Sequence, residues 1–222
     1  LFPLVVAANR DELFARPSAQ ASLWTDEESG KQILSGRDLQ AGGTWLGITH
    51  SGRFAAVTNI RDPSLTERRP QSRGDLTRLF LAGDDSPEQY CSRLAESYDQ
   101  FAGYNLLVGD GDSLYYVNNQ EEKAWRLEPG IFGLSNGLLN SSWPKIDRGR
   151  EVLSSLMEAP QMLHTDALID MMADRSQASD ADLPDTGIDI EIERKLSSAF
   201  ILNPQREYGT LCSTALIFEK SG

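Results

Sequence analysis

LVVAANRDE, residues 4–12, is the stretch on which the reading of this chain turns, because an apolar run ends there in an amide, a guanidinium and two carboxylates. Leu4, Val5, Val6, Ala7 and Ala8 have the length and branching of a strand buried on both faces, with no polar alternation to mark a wet side. Asn9, Arg10, Asp11 and Glu12 then place one fixed cation beside two acids at the end of a core element. Partial burial at such a place can shift a pKa or pin a reacting group, and a solvated strand end is the plainer alternative.

The chain has 222 residues, enough for a substantial core, and reads as a single domain over 1–222. Its formal net charge of −12 argues against affinity gained by neutralising phosphates, so nucleic acid and anionic membrane surfaces are poor partners and a small molecule is the better one. No run approaches the ~18 apolar residues of a membrane span, so no stable membrane insertion is expected. The two cysteines, Cys91 and Cys212, lack metal spacing and suit reduced thiols in a cytoplasmic protein. The sequence gives no oligomeric state and no metal-ligand set.

Working outward from the opening run, Phe14 to Trp24 reads as an irregular connection, and Ile33–Asp38, Gly43–Thr49 and Arg53–Asn59 as strands. The last two are joined by a short turn at His50-Ser51-Gly52. Thr58 and Asn59 therefore stand at a strand end, as Asn9 does. Arg61, Arg68, Arg69, Arg73 and Arg78 form the basic region of an acidic protein, either a solvated loop or a clamp for the anionic end of a ligand. Helices are predicted over Asp75–Ala82 and after the Ser86-Pro87 cap, the latter with Cys91 on its apolar face. Tyr104–Val108 and Leu114–Val117 read as a second hairpin. Ala124–Leu127 and Ile131–Leu134 continue the strands, the latter ending in Ser135-Asn136-Gly137. A helix over Lys145–Glu158, another capped by Thr165, an acidic mobile insertion over 174–193 and a closing strand, Tyr208–Phe218, complete the reading.

Together, AANRDE (7–12), Arg16-Pro17, GGTWLGIT (42–49), AAVTN (55–59), SRGDL (72–76), GLSN (133–136) and YGT (208–210) resemble the NRDE family, that of the transport and Golgi organisation protein 2. The resemblance spans almost the whole chain. It implies an α+β fold, a four-layer αββα sandwich of the N-terminal nucleophile hydrolase type, whose nucleophile is the first residue of the mature chain, in this family a cysteine. A free α-amine can act as base toward such a thiol. All four methionines lie in the second half, so Leu1 does not read as an encoded start; and because so apolar a run needs paired neighbours on both sides, a strand that begins with this cysteine and pairs with Leu4–Ala8 is expected upstream.

Carried over by residue, the resemblance implies catalytic roles for Arg10, Asp11, Asn59 and Asn136, with Asn59 offering its amide to an oxyanion. Asn9, Glu12, Trp45, Thr58, Arg61, Arg73 and Ser135 are the candidate ligand-binding residues, and Arg10, Asp11, Asn59 and Asn136 are expected to converge on one cleft. Relatives carry an arginine after YGT, where Leu211 stands here. Two functions stay open: binding and trafficking of haem or an acyl-CoA, with no cofactor required, or an N-terminal cysteine amidohydrolase acting on a non-peptide C–N amide. His50 and His164 read as surface residues rather than axial ligands of haem.

Overall fold

Apolar runs separated by Gly and Asn turns build most of the strands, and a computed structural model describes them over residues 2–62 and 69–219. In chain order the strands are β1 (Leu4–Leu13), β2 (Ser18–Thr25), β3 (Gln32–Asp38), β4 (Leu46–Ile48), β5 (Phe54–Asn59), β6 (Tyr104–Gly109), β7 (Leu114–Asn118), β8 (Lys123–Arg126), β9 (Leu202–Asn203) and β10 (Tyr208–Phe218). The α-helices are α1 (Arg73–Ala82), α2 (Pro87–Leu94), α3 (Pro144–Glu158), α4 (Thr165–Met172) and α5 (Ile190–Leu196). The chain divides into two compact units, one of Leu1–Ala15, Ile131–Leu134 and Asn140–Gly222, the other of Arg16–Gly130 and Ser135–Leu139.

The first unit holds an antiparallel sheet in the order β1-β10-β9, with α4 packed on β1 and β10. Ile146, Leu163, Leu168 and Ile201 are buried there. β1 departs from expectation twice. It runs on through the charged residues to Leu13, so these lie inside a strand, and its apolar half is half-buried rather than buried on both faces. The register with β10 slips once, Arg10 facing Cys212 and Asp11 facing Thr210, which makes Leu211 the extra residue of a β-bulge.

The second unit is an antiparallel meander in the order β2-β3-β4-β5-β6-β7-β8. One face carries Ile33, Ala55, Leu106, Val108 and Val117, which pack with Leu76 and Phe80 of α1 and Tyr90, Cys91 and Leu94 of α2. Phe80 and Tyr90 meet edge to face at 5.2 Å, and the buried Tyr90 hydroxyl is satisfied by the Leu76 carbonyl. α2 begins at a capping box in which Ser86 and Gln89 satisfy each other's backbone N–H groups. Burial pushes the Cys91 thiol up to about 12, as befits a cysteine used for packing.

The fold is thus α+β, and two antiparallel sheets, each with its own helices, supply the components of the αββα arrangement. β2 replaces the irregular connection expected over Phe14 to Trp24. It is an edge strand of small polar residues with mostly exposed side chains, so it lacks the apolar alternation by which a strand is read. Ile131–Leu134 forms no strand: Gly133 exchanges backbone and side-chain hydrogen bonds with Asn140 instead. Residues 174–193 include the first turn of α5 and buried Ala178 and Glu193, and Asp174 pairs with Arg148 of α3 at 3.2 Å. No helix among the described residues is long and apolar enough to cross a membrane.

Candidate functional site

Strand alternation sorts the four residues of the opening cluster onto two faces of β1. Asn9 and Asp11 take the face toward α3 and α4. The Asn9 amide donates to the carbonyls of Met172 and Ala199, both at 2.8 Å, and its Oδ1 accepts from the Ser213 hydroxyl at 2.6 Å. All three bonds are structural, so Asn9 ties β1 to β10 and to the chain beyond α4. Asp11 accepts from the Thr210 hydroxyl at 2.6 Å, and Thr210 in turn accepts from the Ile201 N–H at 2.9 Å.

Burial raises the Asp11 carboxyl above its ordinary value of 3.8, against the opposing pull of the Thr210 hydroxyl and the Lys145 ammonium. A folded-state pKa above the unfolded one gives stability that is fully present below the unfolded value and lost as pH rises through the folded value. Asp11→Asn keeps an acceptor for Thr210 and removes the buried charge. It therefore raises Tm at pH 7, and the gain over wild type disappears below pH 3.8, where both side chains are neutral; thermal melts across that range check it.

Arg10 and Glu12 occupy the opposite face. Arg10 is 9% exposed, its guanidinium lies 3.9 Å from the Glu12 carboxylate, and its register partner is Cys212. Burial raises the Cys212 thiol, and Arg10 opposes that shift.

The second unit brings together five of the other candidates. The Asn136 amide donates to the Asn59 carbonyl at 2.9 Å, and the Arg61 N–H donates back to the Asn136 carbonyl at 2.8 Å. The Thr58 hydroxyl donates to the Ser135 carbonyl at 2.7 Å. The Asn59 side chain is exposed at the end of β5, with no hydrogen bond among the described residues. Asn136 sits on a loop, not at a strand end, because 131–134 is not a strand. The candidate residues of β1 and those around Asn59 belong to different units.

Trp45 lays its ring over Gly36, where a Cβ would lie 2.3 Å from Cη2. Arg73 donates to the Gly103 carbonyl at 3.1 Å and Arg69 to that of Asp99 at 3.4 Å. Arg78 is committed to structure: it pairs with the buried Asp26 at 2.7 Å and approaches Glu28 and Asp75. Arg68 lies outside the described residues. The α4 cap is His164, whose Nδ1 accepts from the Ala167 N–H at 3.1 Å, and not Thr165. Among the described residues no group of three His, Cys, Asp or Glu side chains suits a metal ion.

Sequence reasoning missed Asn105, Tyr116 and Asn118, which are buried beneath the 135–139 segment. The available signal was an asparagine at an inward position of each of two apolar strands, in register with each other and with Thr58.

The sequence model of the Transport and Golgi organisation 2 family matches residues 1–222. The Transport and Golgi organization protein 2 homolog of Homo sapiens is 34% identical over 235 residues, covering 100% of this chain and 84% of its own. That of Bos taurus is 33% identical over 237 residues, with the same coverage. Among solved structures, a mutant conjugated bile acid hydrolase from Clostridium perfringens aligns at a TM-score of 0.45 and 8% identity, over 79% of each chain. Penicillin V acylase from Agrobacterium tumefaciens aligns at 0.35 and 14%, over 72% of this chain and 50% of its own.

Proposed function

This chain belongs to the Transport and Golgi organisation 2 family, and on that premise we propose that it binds and passes on a small amphipathic anion, haem or an acyl-CoA. The observation that carries the reading is Arg10, an arginine 9% exposed inside a strand, on the face opposite the Asn9 and Asp11 anchors. A guanidinium fork in such a place suits a carboxylate or phosphate, and desolvation strengthens the pairing. Haem in this reading is held by its propionates and by apolar contact, since His164 Nδ1 accepts the α4 cap bond and leaves the proton of the neutral ring on Nε2, and His50 stands in an exposed turn.

Titration with haem, followed at the Soret band, and calorimetry with palmitoyl-CoA test the proposal. Saturable binding of at least one ligand, with transfer to an acceptor protein, is the expected result; binding of neither overturns it.

A second reading, the N-terminal cysteine amidohydrolase, is favoured by Asn59. Its exposed amide stands at a strand end whose backbone Asn136 fixes, an arrangement that suits a donor aimed at an oxyanion. Hydrolysis of a panel of N-acyl amides that is lost in Asn59→Ala supports this reading, and absence of turnover by the full-length protein removes it.

A further inference from the structure

Residues Ser135–Leu139 belong to the second unit, while the chain on both sides of them, Ile131–Leu134 and Asn140 onward, belongs to the first. The segment has no regular secondary structure, yet its polar groups are pinned almost residue by residue. Thr58 takes the Ser135 carbonyl, Asn59 and Arg61 take Asn136, and the Asn105 amide takes the Gly137 carbonyl at 2.8 Å. The Leu139 N–H donates to the Tyr116 hydroxyl at 3.2 Å.

Behind these contacts lies one hub. The Tyr116 hydroxyl donates to Asn105 Oδ1 at 2.7 Å and accepts from Asn118 Nδ2 and the Leu139 N–H, both at 3.2 Å, which fills its one donor and two acceptor positions. Asn105, 0% exposed, also donates to Thr58 Oγ1 at 3.1 Å. Asn118 is held by Glu121 and by the backbone of the β7–β8 turn, and the Tyr116 ring stacks on Trp125 of β8 at 5.4 Å. Thr58, Asn105 and Asn118 form one cross-strand row over β5, β6 and β7, on the sheet face opposite α1 and α2. A fully satisfied buried network of this kind specifies a single arrangement, because any alternative leaves polar groups unpaired.

We propose that Tyr116 and Asn105 are positioning residues, which clasp the Ser135–Leu139 segment to the sheet and so set how Asn136 and Asn59 are presented to a ligand. The proposal rests on the reading that these two asparagines belong to the functional site. Tyr116→Phe keeps the ring stack and removes the hub hydroxyl. Hydrogen exchange in this variant is expected to accelerate at least tenfold at the Leu139 and Arg61 amides, while Leu106 and Val117 of the same sheet keep their rates. Palmitoyl-CoA affinity or amide turnover of the full chain falls at least threefold in parallel.

Should Tyr116→Phe fail to fold, Thr58→Val, which removes the donor to Ser135, gives the same readout. Unchanged exchange at Leu139, or uniform acceleration across the sheet, overturns the clasp. Asn136→Ala separates the two ideas. If it weakens binding or turnover and Tyr116→Phe does not, the positioning role is wrong and the site stands; if neither variant changes either, the site reading fails and the positioning role with it.

Discussion

Gly43→Ala destabilises the protein by about 1–3 kcal/mol, because its new methyl has no space and no rotamer by which to escape. A Cβ at Gly43 would lie 2.4 Å from the Gly74 carbonyl carbon and 2.5 Å from its oxygen, both backbone atoms in the first turn of α1. The close approach is fixed from the other side as well. The Thr44 N–H donates to the Gly74 carbonyl at 3.3 Å, and the single proton of the buried Thr77 hydroxyl is shared between the carbonyls of Thr44 and Gly74. The control is Gly42→Ala. Gly42 has φ +82 with nothing within 4 Å of its Cβ position, so its loss is conformational strain alone, about 1–2 kcal/mol. Denaturant melts of the two variants check the difference, and only Gly43→Ala should displace α1. The glycines in GGTWLGIT and SRGDL thereby gain a physical reason: the two motifs meet backbone to backbone.

Asn9→Leu is expected to remove about 2–4 kcal/mol, a large share of the ~5–15 kcal/mol that holds a typical domain together. It strands the carbonyls of Met172 and Ala199 and the hydroxyl of Ser213 in a part-buried place. Asn9→Asp sharpens the test. It keeps an acceptor for Ser213 but faces two carbonyl oxygens with a carboxylate, so it is destabilised at neutral pH and recovers as acid restores a proton to the site. The first asparagine of the NRDE motif is on this account a structural clamp, whereas Arg10 lies on the other face of the same strand, away from that clamp.

How much of this was legible depended on whether a residue's partner was near in sequence. α2 could be read from Ser86-Pro87, because capping is a local event completed by Gln89 three residues on. β5, β6 and β7 showed themselves as branched and aromatic runs. Alternation divides Asn9 and Asp11 from Arg10 and Glu12 once β1 is known to run on through them, but what each pair meets could not be read, since Ser213, Thr210 and Cys212 lie on a strand some 200 positions away. Asn105 and Tyr116 were hidden for a related reason: a polar residue inside an apolar strand does not announce which face it takes or what satisfies it. Composition counts the charges of the basic segment and not their partners. Arg78 answers Asp26, and Arg73 a backbone carbonyl. Asn136, expected at a strand end, arrives on a loop and donates to the Asn59 carbonyl, a contact 77 positions apart that no local pattern carries.

The central claim is that this protein takes an amphipathic anion through Arg10. Its most direct test is calorimetric titration of palmitoyl-CoA into the wild type and into Arg10→Met, at low and at physiological salt, with melts to confirm that both proteins are folded. The account predicts saturable binding by the wild type, an affinity that falls as salt screens the pairing, and binding at least tenfold weaker in Arg10→Met. Equal affinity in the two folded proteins, or no saturable binding by the wild type of either palmitoyl-CoA or haem, would contradict it.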